Sequence, residues 1–180
     1  MKMTLKVATV LTWFNLIFWG LIDSLFILMS VFSLNLPVLA GAVLISAIPL
    51  NCYAALKLQA SIRHPAVRLS SQTPVGIRFV GFIALFFGIN WLGDGYAFLK
   101  NTNEFMQFIK DQLAQLPQLT QQFPQIKAIG PADIRQAGVF CLILGLCVIV
   151  NVVLNLRLLR WYYLVKKSDA SSESDESQQQ

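Results

Sequence analysis

At 180 residues, with 56% hydrophobic and only 13% charged, the chain departs from water-soluble domains, which carry about 45–50% apolar and about 25% charged residues. Four apolar stretches each reach the roughly 20 helical residues that a hydrocarbon core requires, which excludes a sizeable folded domain outside the membrane. The net charge of +5 comes without the aromatic or motif context of a nucleic-acid face, so no nucleic-acid partner is expected.

The first stretch is Val7–Phe32, preceded by Lys2 and Lys6. Its apolar part is too long for a cleaved secretory signal and no small-residue cleavage site follows, which predicts a retained signal anchor. Asp23 falls roughly 5 Å outward of its middle at the helical rise of 1.5 Å per residue. An ionisable side chain at a span centre costs about 2.5–3.5 kcal/mol on insertion scales, so an acid retained there is a functional candidate by default. Asn35 and Pro37 then form a short turn, making spans 1 and 2 antiparallel neighbours.

Span 2 covers Leu36–Leu56 and contains Asn51. The connection 57–78 continues its helix, breaks at Pro65, and restarts with Thr73 as N-cap and Pro74 at the first helical position. Its single histidine, His64, is read as a turn residue near lipid headgroups.

Span 3, Phe79–Leu99, holds the stretch INWLGDGYAF, in which Asn90 and Asp94 share a helix face. Asp94 lies about 7–8 Å outward of the span centre, closer to the interface than Asp23. Gly93 and Gly95 beside it suit close helix approach or local unwinding. Residues 101–116 follow with Phe105, Phe108, Ile109, Leu113 and Leu116 on one helical stripe, and Asn101 with Glu104 resembles a capping box. This amphipathic segment is expected on the membrane surface or capping the bundle. Residues 117–131 are expected to be an irregular strap, with Pro131 opening the last helix.

Span 4 is Ala137–Leu156 and carries Asn151, with Asn155 and Cys147 on the same face. Asn15, Asn51 and Asn151 all fall about six to eight residues from the same end of their spans, a shared height. Small residues recur every four positions in Ala137, Cys141 and Gly145, in Ala84 and Gly88, and in Ala42 and Ser46, as in closely packed membrane helices. WYYLVKK (161–167) suits a headgroup interface. The tail 168–180 has no apolar residue larger than alanine and is expected to be disordered. A short echo links WGLID (19–23) to WLGD (91–94), and Asn51 with Lys57 to Asn151 with Arg157.

Ten of the fourteen basic residues flank one side: Lys2, Lys6, Lys57, Arg63, Arg68, Arg78, Arg157, Arg160, Lys166 and Lys167. The positive-inside rule makes that side cytoplasmic, with both termini on it, in a plasma or bacterial inner membrane. The fold expected is an all-α polytopic membrane protein: a four-transmembrane-helix antiparallel bundle occupying residues 1–167, with a short amphipathic helix in the external loop between spans 3 and 4.

Candidate site residues form one intramembrane polar set: Asp23, Asp94, Asn90, Asn15, Asn51 and Asn151. Cys52, Cys141 and Cys147 all fall inside spans and make neither a redox nor a zinc pattern. With one histidine and no catalytic motif, no metal, no cofactor and no enzymatic activity are expected. The partners expected are the lipid bilayer and, through the small-residue faces, the protein itself or other membrane proteins. The leading expectation for function is an accessory or oligomer-forming subunit. The alternative is a proton- or cation-coupled small transporter or channel that uses the aspartates.

Overall fold

A computed structural model describes the chain apart from residues 1, 35, 65–68, 116–128 and 178–180, and apart from the side chains of 2, 114–115 and 167–177. The described residues form helices α1 (Lys2–Ser33), α2 (Leu36–Ile45), α3 (Ala47–Arg63), α4 (Gln72–Lys100), α5 (Thr102–Gln115) and α6 (Pro131–Ser177), with no strand among them. Four segments are long and apolar enough to cross a membrane: Met3–Ser33, Leu36–Arg63, Gln72–Lys100 and Pro131–Lys166. The all-helical expectation is borne out, and the four segments fit a multi-pass membrane protein. The strap expected at 117–131 lies largely outside the described residues.

Burial reinforces that fit. Along α1 the buried positions include Thr12, Asn15, Asp23 and Ser30, whereas Val10, Ile17, Leu21, Leu25 and Met29 are exposed. A helix in water would bury the second set and expose the first. Polar residues facing inward with apolar ones outward is the arrangement hydrocarbon favours.

The chain divides into two compact units, residues 1–86 with 147–180, and residues 87–146. In the first unit, α1 ends where Leu34 adopts φ 51°, the left-handed conformation that usually follows a helix on glycine or asparagine. A leucine there costs about 1–2 kcal/mol, and the tight return into α2 imposes it. The α2–α3 segment is the main departure from the expected spans. It was expected to be one helix, but it is interrupted at Ser46. The reason is Pro49, which has no N–H to donate to the Ile45 carbonyl four residues back. The ladder resumes on either side, Ser46 N bonding to Ala42 O at 2.9 Å and Leu50 N to Ser46 O at 3.0 Å. α3 then stops at Arg63, with His64 at φ −127°, ψ 88°, because a residue preceding proline disfavours the helical region. Ala8, Leu58, Ile77, Leu158 and Leu159 form an apolar core joining α1, α3, α4 and α6.

Replacing Pro49 with alanine should restore the missing bond and make α2–α3 continuous. Spin labels at the exposed positions Ala40 and Ala60 would then approach the roughly 30 Å separation of a straight helix. An unchanged distance by pulsed electron resonance would mean that the proline does not set the interruption.

α4 opens two residues earlier than the Thr73 cap expected from sequence would place it. The Ser70 hydroxyl oxygen accepts from Gln72 N at 3.5 Å, and Thr73 N donates to Ser70 O at 3.1 Å. Pro74 therefore falls within the first turn, where its missing N–H is tolerated.

In the second unit, α4 and α6 meet backbone to backbone at glycine. A Cβ on Gly95 would lie 2.8 Å from Gly138 O, and one on Gly145 would lie 2.8 Å from Gly88 O. The pairs are seven residues apart on each helix and run in opposite directions, so this crossing is antiparallel with a heptad spacing. It differs from the four-residue rows read in sequence: Ala137 is exposed and Gly138 is the buried partner. Of the two glycines beside Asp94, only Gly95 is at the contact, since a Cβ on Gly93 would meet nothing within 4 Å.

α5 follows α4 across Asn101, whose carbonyl accepts from Phe105 N at 3.1 Å. The Phe98 and Phe105 rings meet edge to face at 4.6 Å. Its buried stripe is rotated from the expected one, with Thr102 and Met106 buried and Phe108 59% exposed. α6 begins at Pro131 as expected, and Asp133 Oδ2 accepts from Gly130 N at 2.7 Å. Its backbone continues to Ser177, over the segment whose composition predicts disorder. Extending an existing helix adds one hydrogen bond per residue fixed and avoids the cost of nucleation.

Candidate intramembrane polar site

Most buried polar residues of the first unit fall into two groups, one on each part of α1. The larger group begins with Thr12, in the third turn of α1 and fully buried. Its hydroxyl donates to Asn151 Oδ1 at 2.7 Å. The same oxygen accepts from Gln59 Nε2 at 3.1 Å and Asn155 Nδ2 at 3.3 Å. Asn155 Nδ2 also reaches Asn151 Oδ1 at 3.0 Å, and Asn155 Oδ1 accepts from Gln59 Nε2 at 2.9 Å. Asn151 and Asn155 are four apart on α6 and so stand one above the other. Three helices thus contribute to one closed network: α1 through Thr12, α3 through Gln59, and α6 through both asparagines.

Two further asparagines of the expected layer lie in the same unit. Asn15 Nδ2 donates to Leu11 O at 2.9 Å and reaches Cys147 O at 3.4 Å across to α6. Asn51 is 1% exposed, and a Cβ on Gly81 would lie 3.1 Å from its Oδ1. Asn151 Nδ2 lies 3.4 Å from Cys52 Sγ, the residue after Asn51. Hydrogen bonds therefore link Asn151 to the network and Asn15 to the adjacent turn of α6.

The second group is Asp23 with Ser46. The two lie equally far from the α1–α2 turn, so an antiparallel hairpin brings them level. The Ser46 hydroxyl donates to Asp23 Oδ2 at 2.7 Å and also lies 3.1 Å from Ala42 O. Asp23 is 7% exposed. The interruption that Pro49 causes therefore falls at the residue that holds the only carboxylate described in this unit.

Four acceptors are buried without a hydrogen-bond partner among the described residues: Asn15 Oδ1, Asp23 Oδ1, Asn51 Oδ1 and Gln59 Oε1. Each such atom carries the cost of lost hydration, about 1–3 kcal/mol for a neutral group. The polar interior of this unit is richer in acceptors than in the donors that reach them.

Asp94 and Asn90 are not among the residues of these two groups. Both belong to the second unit and both are exposed. Of the six residues expected to form one polar set, Asn15, Asn51, Asn151 and Asp23 are buried within the first unit.

Thr12, Gln59 and Ser46 were missed as site residues by sequence reasoning. Thr12 lies three residues before Asn15 and Gln59 eight after Asn51, spacings that keep each pair on one helix face. That signal was present, but Gln59 fell beyond the expected end of span 2. Comparison with protein-family models, with curated proteins and with solved structures finds no match for this chain.

Proposed function

We propose that this chain is a non-catalytic multi-pass membrane protein that acts through helix packing, as an accessory or self-associating subunit of a plasma or bacterial inner membrane. In this reading the four spans form one antiparallel bundle with both termini in the cytoplasm, and α5 lies on the opposite side. The observation that carries it is the Thr12–Gln59–Asn151–Asn155 network, in which neutral polar groups of three helices bond mainly to one another. Interhelical amide and hydroxyl bonds in membranes average about 0.6 kcal/mol and mainly fix register. A further support is the outer part of α1. Leu25, Phe26, Ile27, Leu28 and Met29 are all exposed to some degree, which offers a broad apolar surface to lipid or to another helix.

The expected result is a defined oligomer, or a complex with another membrane protein, on cross-linking in the native membrane and sizing in mild detergent. A solitary monomer in both would remove this reading.

A transporter or channel is the second reading, and Asp23 favours it. A buried acid with one unpartnered oxygen inside a membrane span is the kind of residue that serves as an ion or proton site in transporters. It predicts ion or solute flux in proteoliposomes that Asp23→Asn abolishes. Flux that survives in Asp23→Asn, in Asp94→Asn and in the variant carrying both would take the aspartates out of the mechanism.

A further inference from the structure

At the basic end of the first unit, a groove of about 420 Å³ opens between α4 and α6, lined by Arg78, Leu156, Leu159, Arg160, Tyr163 and Leu164. Arg78 directly precedes the apolar run from Phe79, and Arg160 lies one turn beyond Leu156, so both guanidiniums sit where hydrocarbon gives way to headgroups. Leu159 is 2% exposed and floors the groove, while Leu164 is 60% exposed at its rim. Arg78 stacks over the Tyr163 ring at 5.8 Å from its centroid, which holds the guanidinium at the groove and leaves its N–H groups free to donate.

Two like charges on one groove repel unless an anion lies between them. Asp23 is the only carboxylate described in this unit, and it is bonded to Ser46. Among the described residues neither arginine is paired with an acid. Guanidinium forks match phosphate oxygens bidentately, and basic clefts between spans on the cytoplasmic side suit anionic headgroups. The leucines continue the cleft with a surface for an acyl chain.

We propose that this groove binds one anionic phospholipid of the surrounding leaflet, its phosphate held by Arg78 and Arg160 and its chain laid along Leu156, Leu159 and Leu164. The site rests on the reading of the chain as membrane-spanning.

The test is retention of lipid by the intact protein, reconstituted in nanodiscs of equal phosphatidylglycerol and phosphatidylcholine, extracted in mild detergent and examined by native mass spectrometry. The wild type should keep phosphatidylglycerol over phosphatidylcholine by about tenfold, the size expected of two basic contacts. The Arg78→Gln/Arg160→Gln variant should lose that preference. Arg157→Gln, which removes an exposed arginine on the same helix away from the groove, should keep it. The Arg78→Lys/Arg160→Lys variant keeps both charges and should retain part of the preference, which separates loss of charge from loss of fold.

Equal retention of the two lipids by the wild type, or an undiminished preference in the double glutamine variant, overturns this site alone. Complete displacement of the lipid by soluble glycerol phosphate also overturns it, because the chain would then contribute nothing. Absence of all retained lipid overturns the membrane reading and the site with it.

Discussion

Gly95→Leu is expected to lower the thermal midpoint of the detergent-solubilised protein by about 3–10 °C, corresponding to about 1–3 kcal/mol of overpacking. The atoms that a side chain at position 95 would meet are Gly138 O at 2.8 Å and Leu142 N at 2.9 Å. Both belong to the facing backbone, so no rotamer change relieves the clash and the helices themselves must separate. Gly145→Ala should act in the same direction, because its Cβ would meet Gly88 O at 2.8 Å and Leu92 N at 3.1 Å. The control lies two residues away on the same helix. Gly93 has open space around its Cβ position, and Gly93→Leu carries the same change in intrinsic helix propensity. A thermal shift that is equal at 93 and 95 would mean that propensity, and not the α4–α6 contact, governs both. The residue beside Asp94 that matters is thus the one that lets two backbones touch.

What could be read from the sequence divides along a physical line. Properties that belong to one helix alone were legible: apolar length gave the four long segments, Pro65 ended α3, and Pro131 opened α6. Rise per residue also put Asn15, Asn51 and Asn151 at one height, whereas the hydrogen bonds set Thr12 against Asn151 and Asn15 against the Cys147 carbonyl one turn away.

Properties that belong to a pair of helices were not. The heptad of glycines is visible only once Gly95 faces Gly138, since each helix by itself offers several small-residue rows of equal merit. Met106 replaced Phe108 in the buried stripe of α5 for a similar reason. An amphipathic pattern fixes a face to within one position, and neighbours decide the rest.

Pro49 belongs to a third kind. Its consequence at Ile45 follows from the missing N–H alone, but a proline inside an apolar run is common in membrane helices and gives no hint that Ser46 will meet Asp23. Gln59 was hidden by the span boundary at Leu56, seven residues short of where α3 ends.

Asn155→Leu is expected to destabilise the protein by about 1–2 kcal/mol, above the average of about 0.6 kcal/mol for single interhelical bonds in membranes. Asn155 occupies the centre of the network: it bonds Thr12, Gln59 and Asn151 at once, at 3.3, 2.9 and 3.0 Å. Its loss takes one of two acceptors from Gln59 Nε2, whose remaining bond is to Thr12 at 3.1 Å. Gln59→Leu alone should cost less, since Gln59 Oε1 has no partner to lose. The pair changed together should cost less than the two single changes added, by about 0.5–1 kcal/mol, because the second substitution removes groups that the first had already stranded. Strict additivity, measured by reversible unfolding or steric trapping, would mean that the network does not act as a unit. The same variants also separate the two functional readings. If the network only holds α1, α3 and α6 in register, Asn155→Leu weakens any oligomer in proportion to stability, and Asp23→Asn leaves it unchanged. If the polar interior conducts, flux should fall in Asp23→Asn while the thermal midpoint stays within about 2 °C, because Asn and Asp differ little in volume and the Ser46 hydroxyl can still donate to an amide oxygen.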